Sequence, residues 1–175
     1  MAKTHSTFHF RLMSLSFAIR DFFSPRKNVL KEVGIKPGFQ VLDYGCGPGS
    51  YIEPLAALVG KSGKVFALDV NHLALKSVKN KIIKKHLTNV ETIHSDCKTG
   101  LHDNSLDVVL LNDVFHGLKH SHDVLKELHR VLKTHGILSV SDDHLEESEL
   151  LTGLTASGYF KLSTKGKKTF TFSKI

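Results

Sequence analysis

The feature that most constrains this chain is an alternation. Five short apolar runs, QVLDYG, KVFALDV, VETIHSD, LDVVLLND and GILSVSD, are separated by longer or turn-rich stretches. The runs are nearly continuous Val, Leu and Ile, the pattern of strands covered on both faces. Helices are expected at SYIEPLAALVG after the first run and HLALKSVKNKIIKKHL after the second. A further helix, HDVLKELHRVLKTHG, precedes the fifth run. There Val124, Leu125, Leu128, Val131 and Leu132 fall at helical spacing, and Gly136 stands just past the end. The connection CKTGLHDNS is too short for a long helix. A last helix, EESELLTGLTASG, precedes a hairpin of YFKLST and KTFTFS around Lys165-Gly166-Lys167. Strands alternating with helices imply the α/β class, a doubly wound and mostly parallel sheet with helices on both faces. The hairpin adds antiparallel strands at one edge.

The segment before residue 36 reads as helical. Phe10, Met13, Phe17 and Ile19 form an imperfect apolar stripe, and Ser24-Pro25 offers an N-cap with proline at the first helical position. Val29, Leu30 and Val33 continue this second helix, which Gly34 can end. No repeat, low-complexity stretch or linker interrupts the chain, so one domain over 1–175 is expected, with a helical lid over 1–35 and a core over 36–175. At 175 residues, 41% hydrophobic and 23% charged, the chain can bury a sizeable core, and disorder is excluded. No stretch approaches about 18 uninterrupted apolar residues, so no transmembrane segment is expected. FHFRLMSLSFAIRDFF carries Arg11 and Arg20 and lacks a small-residue cleavage site, so it is not read as a signal peptide. Two cysteines are too few for a disulfide scaffold, and both are expected reduced in a cytoplasmic protein. The balance of 24 Lys+Arg against 17 Asp+Glu gives +7, and twelve scattered histidines make that charge sensitive to mild acid. The densest lysine cluster, KSVKNKIIKKHL, reads as one solvated helix face.

Chemistry concentrates where the first run ends, in Val41-Leu42-Asp43-Tyr44-Gly45-Cys46-Gly47-Pro48-Gly49-Ser50. Glycines between a strand and a helix permit a sharp bend and close approach of a ligand to main-chain amides. The spacing is G-x-G-x-G, whereas a dinucleotide fingerprint would place its third glycine at Ser50. Asp43, just before the loop, would repel a pyrophosphate and suits a cofactor carrying positive charge. The second run ends in Asp69-Val70, twenty residues after Gly49, where a carboxylate can accept from both hydroxyls of a ribose. The third ends in Ser95-Asp96-Cys97, where Asp96 can accept from an adenine amine. Any one such acid could merely cap a helix. Three at successive strand ends, with the glycine loop, point to a ligand crevice.

In these residues the sequence resembles the class I S-adenosylmethionine-dependent methyltransferases, and within them the small-molecule branch that includes ubiquinone/menaquinone biosynthesis (type 11) enzymes. The resemblance spans about 38–140: VLDYGCGPG, the acidic end of VFALDV, the SDC step, LDVVLLNDVFHGL and LHRVLKTHGILSV. It implies a Rossmann-like seven-stranded sheet whose last strand is antiparallel. It implies S-adenosylmethionine as cofactor, with Asp43, Tyr44, Gly45, Cys46, Gly47 and Gly49 around the methionine part. Asp69 and Val70 would lie at the ribose, Ser95, Asp96 and Cys97 at the adenine, and Asn112 and Asp113 at the site's edge. The chain departs from the family in being short, with no separate substrate domain, and in reading His116-Gly117 where relatives often pair histidines.

A sulfonium methyl donor is already activated, so the protein mainly positions donor and acceptor and excludes water; no metal is expected. If the acceptor needs a base, His116 and Asp113 are the candidates; the competing role for His116 is a hydrogen-bonded pocket wall. His116, His120 and His122 do not form a recognised metal-ligand spacing. The Asp/Asn-Pro-Pro-aromatic and Pro-Cys steps of nucleic-acid methylating enzymes are absent, which disfavours nucleic acid and favours a small-molecule acceptor such as a quinone-like or lipid precursor. Two rival readings stay open: a nicotinamide-dependent oxidoreductase and a non-catalytic S-adenosylmethionine-binding regulatory protein. Oligomeric state is not set by the sequence.

Overall fold

The computed structural model of the chain describes residues 27–175. Residues 1–26 of the expected lid over 1–35, with the Ser24-Pro25 cap, therefore lie outside the described residues. The elements run α1 (Lys27–Val33), β1 (Gln40–Tyr44), α2 (Ile52–Val59), β2 (Lys64–Asp69), α3 (His72–Lys85), β3 (Val90–His94) and β4 (Leu106–Asn112). A 3-10 turn (Phe115–Gly117), α4 (Ser121–Val131), β5 (Leu132–Ser141), α5 (Glu147–Thr155), β6 (Phe160–Lys165) and β7 (Phe170–Lys174) complete it.

The seven strands form one sheet in the order β3-β2-β1-β4-β5-β7-β6. The first five pair in parallel, and β7 pairs antiparallel with both β5 and β6. The expected hairpin thus sits at the edge with its second strand inward, which makes β7 the one strand running against the rest. Neighbouring residues of a strand go to opposite cores, as continuous apolar runs require. Val41, Val65, Val108 and Leu110 pack with Val29, Leu30 and Val33 of α1, with Ile52, Leu55 and Val59 of α2, and with Leu75 and Val78 of α3. Leu42, Phe66, Val109 and Leu111 pack with Val124, Leu125 and Leu128 of α4 and with Leu150 and Leu154 of α5. Glu32 of α1 also accepts from Thr169 N and Oγ1, at 3.2 and 3.1 Å, tying that helix to the β6–β7 turn.

One boundary differs from the sequence expectation. The helix before the fifth run ends at Val131, and Leu132 already pairs with Leu106 in the sheet. The pairing then jumps, so that Val108 faces Ile137. Gly136 is therefore not a helix terminator. It lies in this bulge, where an added Cβ would stand 2.9 Å from the Leu106 carbonyl oxygen. Leu132 satisfies the apolar spacing of a helix and a strand equally, and sheet pairing wins. Among the described residues, no helix is long and apolar enough to cross a membrane.

Candidate cofactor and acceptor site

Strand order reverses between β1 and β4, and open sheets of this kind bind ligands in the crevice at such a switch point. The glycine loop fills one side of it. Its backbone amides face inward: Gly45 and Cys46 donate to the Leu68 carbonyl at 2.8 and 2.9 Å, and Gly49 donates to Cys46 at 3.0 Å. Gly47 donates to Asp69 Oδ2 at 2.9 Å. The loop is thus spent on the protein's own acceptors instead of offering a ring of N–H groups to a phosphate. Gly45 and Gly49 have positive φ, and added Cβ atoms would strike Val114 and Val78 side chains at 2.5 and 2.9 Å. The loop is held from behind by α3, where Ser77 Oγ donates to the Pro48 carbonyl and Lys81 Nζ to the Gly49 carbonyl, at 3.1 and 2.7 Å. The lysine-rich helix is therefore only partly a solvated face.

Asp43 is 2% exposed, and its Oδ2 has no hydrogen-bond partner among the described residues. Asn112 Nδ2 is likewise buried and unpartnered, while its Oδ1 accepts from Ser141 Oγ at 2.9 Å. Both residues line a cavity of about 60 Å³ between the loop and the end of β4. Burial, reinforced by the Asp69 charge and opposed by Lys81, pushes the Asp43 carboxyl up to about 7. An orphaned acceptor beside an orphaned donor matches a zwitterionic amino-acid head, the ammonium meeting Asp43 and the carboxylate Asn112. These residues fit the cofactor the sequence resemblance implies.

Asp69 ends β2 beside the loop. Besides Gly47 N it accepts from Asn71 N at 2.7 Å, through Oδ1. A carboxylate has about four acceptor positions, so capacity remains for a ribose hydroxyl. Burial raises its carboxyl, against the lowering effect of these backbone donors. Val70 is 62% exposed, an apolar platform at the strand end, and His72 and His94 stack beyond it with ring centroids 3.7 Å apart. Asp96 is exposed beyond β3, and its carbonyl accepts from Tyr44 Oη at 2.8 Å. Tyr44 itself is buried and fixes that turn. Ser95 Oγ accepts from Cys97 N. Both thiols are free, and burial pushes each up, so neither is an activated nucleophile.

At the opposite wall, Asp113 adopts a left-handed φ of 52°, and its Oδ1 accepts from Asp143 N at 3.3 Å. His116 Nδ1 stands 2.9 Å from both carboxylate oxygens of Asp142, the residue that follows β5. His122 lies instead against Tyr159, so the three histidines noted in sequence do not share one partner. Sequence reasoning missed Asp142, Lys81 and Ser77. Asp142 carried a usable signal, an acid closing an apolar run, as Asp43 and Asp69 do. The reach of Lys81 and Ser77 across to the loop had none.

The family described as methyltransferase domain matches residues 35–167. The chain belongs to it. Over 130 residues it is 33% identical to demethylmenaquinone methyltransferase of Geobacillus stearothermophilus, matching 74% of this chain and 56% of that protein. A second relative of the same description, from Staphylococcus aureus, is 34% identical over 117 residues, 65% of this chain and 46% of its own length. The chain thus spans about half the length of these curated relatives. A solved structure of a SAM-dependent methyltransferase from Aquifex aeolicus superposes with a TM-score of 0.77 at 30% identity, covering 90% of this chain and 96% of that one.

Proposed function

We propose that the chain transfers a methyl group from S-adenosylmethionine to a small molecule, with a quinone-like ring as the acceptor class. What carries this reading is the pairing of an inward-facing glycine loop with the orphaned Asp43 carboxylate. A pyrophosphate would find no free amide cradle there and would meet a buried acid, which disfavours the nicotinamide-dependent reading. In this proposal Asp43 and Asn112 hold the amino-acid head and Gly45, Cys46, Gly47 and Gly49 shape its wall. Asp69 holds the ribose, while Val70, Ser95, Asp96 and Cys97 border the adenine. Bound there, S-adenosylmethionine supplies an electrophilic methyl group on a sulfonium. Asp113 and His116 stand on the acceptor side. The quinone-like class is supported by relatives named demethylmenaquinone methyltransferase. A ring attacked by an electrophilic methyl must be electron-rich, so the reduced quinol is the reactive form. A cytoplasmic location, consistent with two free cysteines, belongs to the same proposal.

The test is methyl transfer from methyl-labelled S-adenosylmethionine to demethylmenaquinone kept reduced as its quinol. Label in the ring product is expected. Cofactor binding without transfer would sink the quinone-like acceptor class, and only absence of turnover with every acceptor would favour the regulatory, non-catalytic alternative.

A further inference from the structure

We infer that Asp142 is a positioning residue that makes His116 the proton acceptor for an aromatic hydroxyl on the methyl acceptor. This inference rests on the methyltransferase reading of the same crevice and assigns it an acceptor chemistry.

The geometry of the pair is fixed from several sides. Phe115, 9% exposed, anchors the 3-10 turn in the core. Gly153 of α5 leaves room for that ring, since a Cβ there would lie 2.7 Å from Phe115 Cε1. His116 N donates to Asp142 Oδ2 at 3.0 Å, and His144 N donates to Asp142 Oδ1 at 3.1 Å. The Asp142 side chain is fully buried, whereas that of His116 is 35% exposed. Burial alone would raise the Asp142 carboxyl, but hydrogen bonds from His116 and His144 hold it below the ordinary carboxylate range. An ionised carboxylate only accepts, so Nδ1 must carry the imidazole proton and Nε2 must present its lone pair. The exposed His144 ring flanks that imidazole at 4.3 Å between centroids.

This arrangement does something a pocket wall does not need. It selects one tautomer and buries a counter-charge for the imidazolium that forms when Nε2 takes a proton. An amine or thiolate acceptor already offers a lone pair and has little use for it. A quinol or phenol does: its O–H proton passes to Nε2, the O–H bonding pair is released through the oxygen into the ring, and a ring carbon forms the new bond to the methyl carbon. The hydrogen on that carbon then leaves as a proton, its bonding pair restores the aromatic ring, and the ring oxygen takes a proton back. The methyl–sulfur bonding pair stays on sulfur as a neutral thioether, and the imidazolium returns its proton to water. Position supports the assignment. Asn112, which lines the cofactor cavity, pairs with Ser141 next to Asp142, and Asp113 N donates to the Ser141 carbonyl at 2.8 Å. Asp142 thus follows the residue paired with Asn112, one step beyond the cavity lining on the β4–β5 side.

The test compares Asp142→Asn and His116→Gln with the wild-type chain by two readouts. Nitrogen-15 correlation spectra of the histidine rings, taken at about pH 8, above the ordinary imidazole range, should show His116 as the Nδ1–H tautomer in the wild type. In Asp142→Asn, whose single amide oxygen can serve only one of the two backbone amides and whose NH₂ stands near Nδ1 as a donor, it should turn to Nε2–H. Turnover of demethylmenaquinol should fall by about 10²- to 10⁴-fold in kcat for both variants, with KM and S-adenosylhomocysteine affinity nearly unchanged. An Nε2–H tautomer in the wild type overturns the inference. So does Asp142→Asn that binds S-adenosylhomocysteine and keeps its kcat. A wild-type chain that binds no S-adenosylhomocysteine instead overturns the underlying methyltransferase reading.

Discussion

Asp43 is the residue whose burial costs the fold most visibly. Water would solvate its carboxylate; the fold buries it beside Asp69 and leaves Oδ2 unpartnered. With the folded value raised to about 7, stability from this group is fully present below the unfolded value near 4 and is lost as pH rises through about 7. Asp43→Asn should therefore melt higher than the wild type at about pH 8, and the gain should shrink at about pH 5. The same variant should lose affinity for S-adenosylmethionine, and lose more of it than for the uncharged thioether S-adenosylhomocysteine. Thermal melts at both pH values and titration with both ligands check this; an equal gain in melting temperature at both pH values counts against it. Asp69 carries a different load. Losing its charged hydrogen bonds should cost about 1.5–3 kcal/mol, or roughly 10- to 150-fold in affinity for either ligand. Asparagine is no milder here, because its amide NH₂ must face either Gly47 N or Asn71 N, two donors meeting. Calorimetric affinities of Asp69→Ala and Asp69→Asn that fall alike support that geometry, and full affinity in either contradicts it.

Among the elements, β5 tests how the sheet closes. Its bulge brings Gly136 against the Leu106 carbonyl, backbone that cannot step aside. Gly136→Ala should cost about 1–3 kcal/mol, seen as a lower denaturation midpoint, with cofactor affinity little changed. The connection between β3 and β4 is braced by Glu127 of α4. It accepts from Thr99 N and Oγ1 at 2.8 and 2.7 Å and pairs with Arg130. The Arg130 hydrogen bonds pull the Glu127 carboxyl down to about 2. Stability from a lowered carboxyl is present above its unfolded value near 4.3 and is lost as pH falls through about 2. Glu127→Gln should melt below the wild type at neutral pH and match it near pH 2; an unchanged gap in acid would contradict the assignment. The strands were legible because apolar runs covered on both faces leave one period, and Asp43 and Asp69 because acids are conspicuous at the ends of such runs. The α4–β5 boundary was not, since Leu132 fits both periods. Nor was the Asp142–His116 pair, which depends on two connections 26 residues apart meeting over the sheet.

At the scale of the whole molecule, one sheet performs two tasks at its switch point. The ends of β1, β2 and β3 supply carboxylates and an exposed Val70 to one side, and β4 and β5 bring Asp113, His116 and Asp142 to the other. The cavity between them is far smaller than the roughly 300–1,000 Å³ of a closed ligand pocket. Within the described residues this cavity cannot enclose a whole nucleoside cofactor, so ribose and adenine would extend beyond it, along Asp69 and Val70. On the proposed reading the crevice takes a phosphate-free nucleoside that carries an amino-acid head. Isothermal titration of the full chain with S-adenosylmethionine, S-adenosylhomocysteine and NADH under one set of conditions tests this. The two adenosyl ligands are expected to bind one per chain, with both affinities cut by Asp69→Ala, and NADH is expected to give no binding heat. Saturable binding of NADH, with neither adenosyl ligand bound, would instead make the crevice a dinucleotide site.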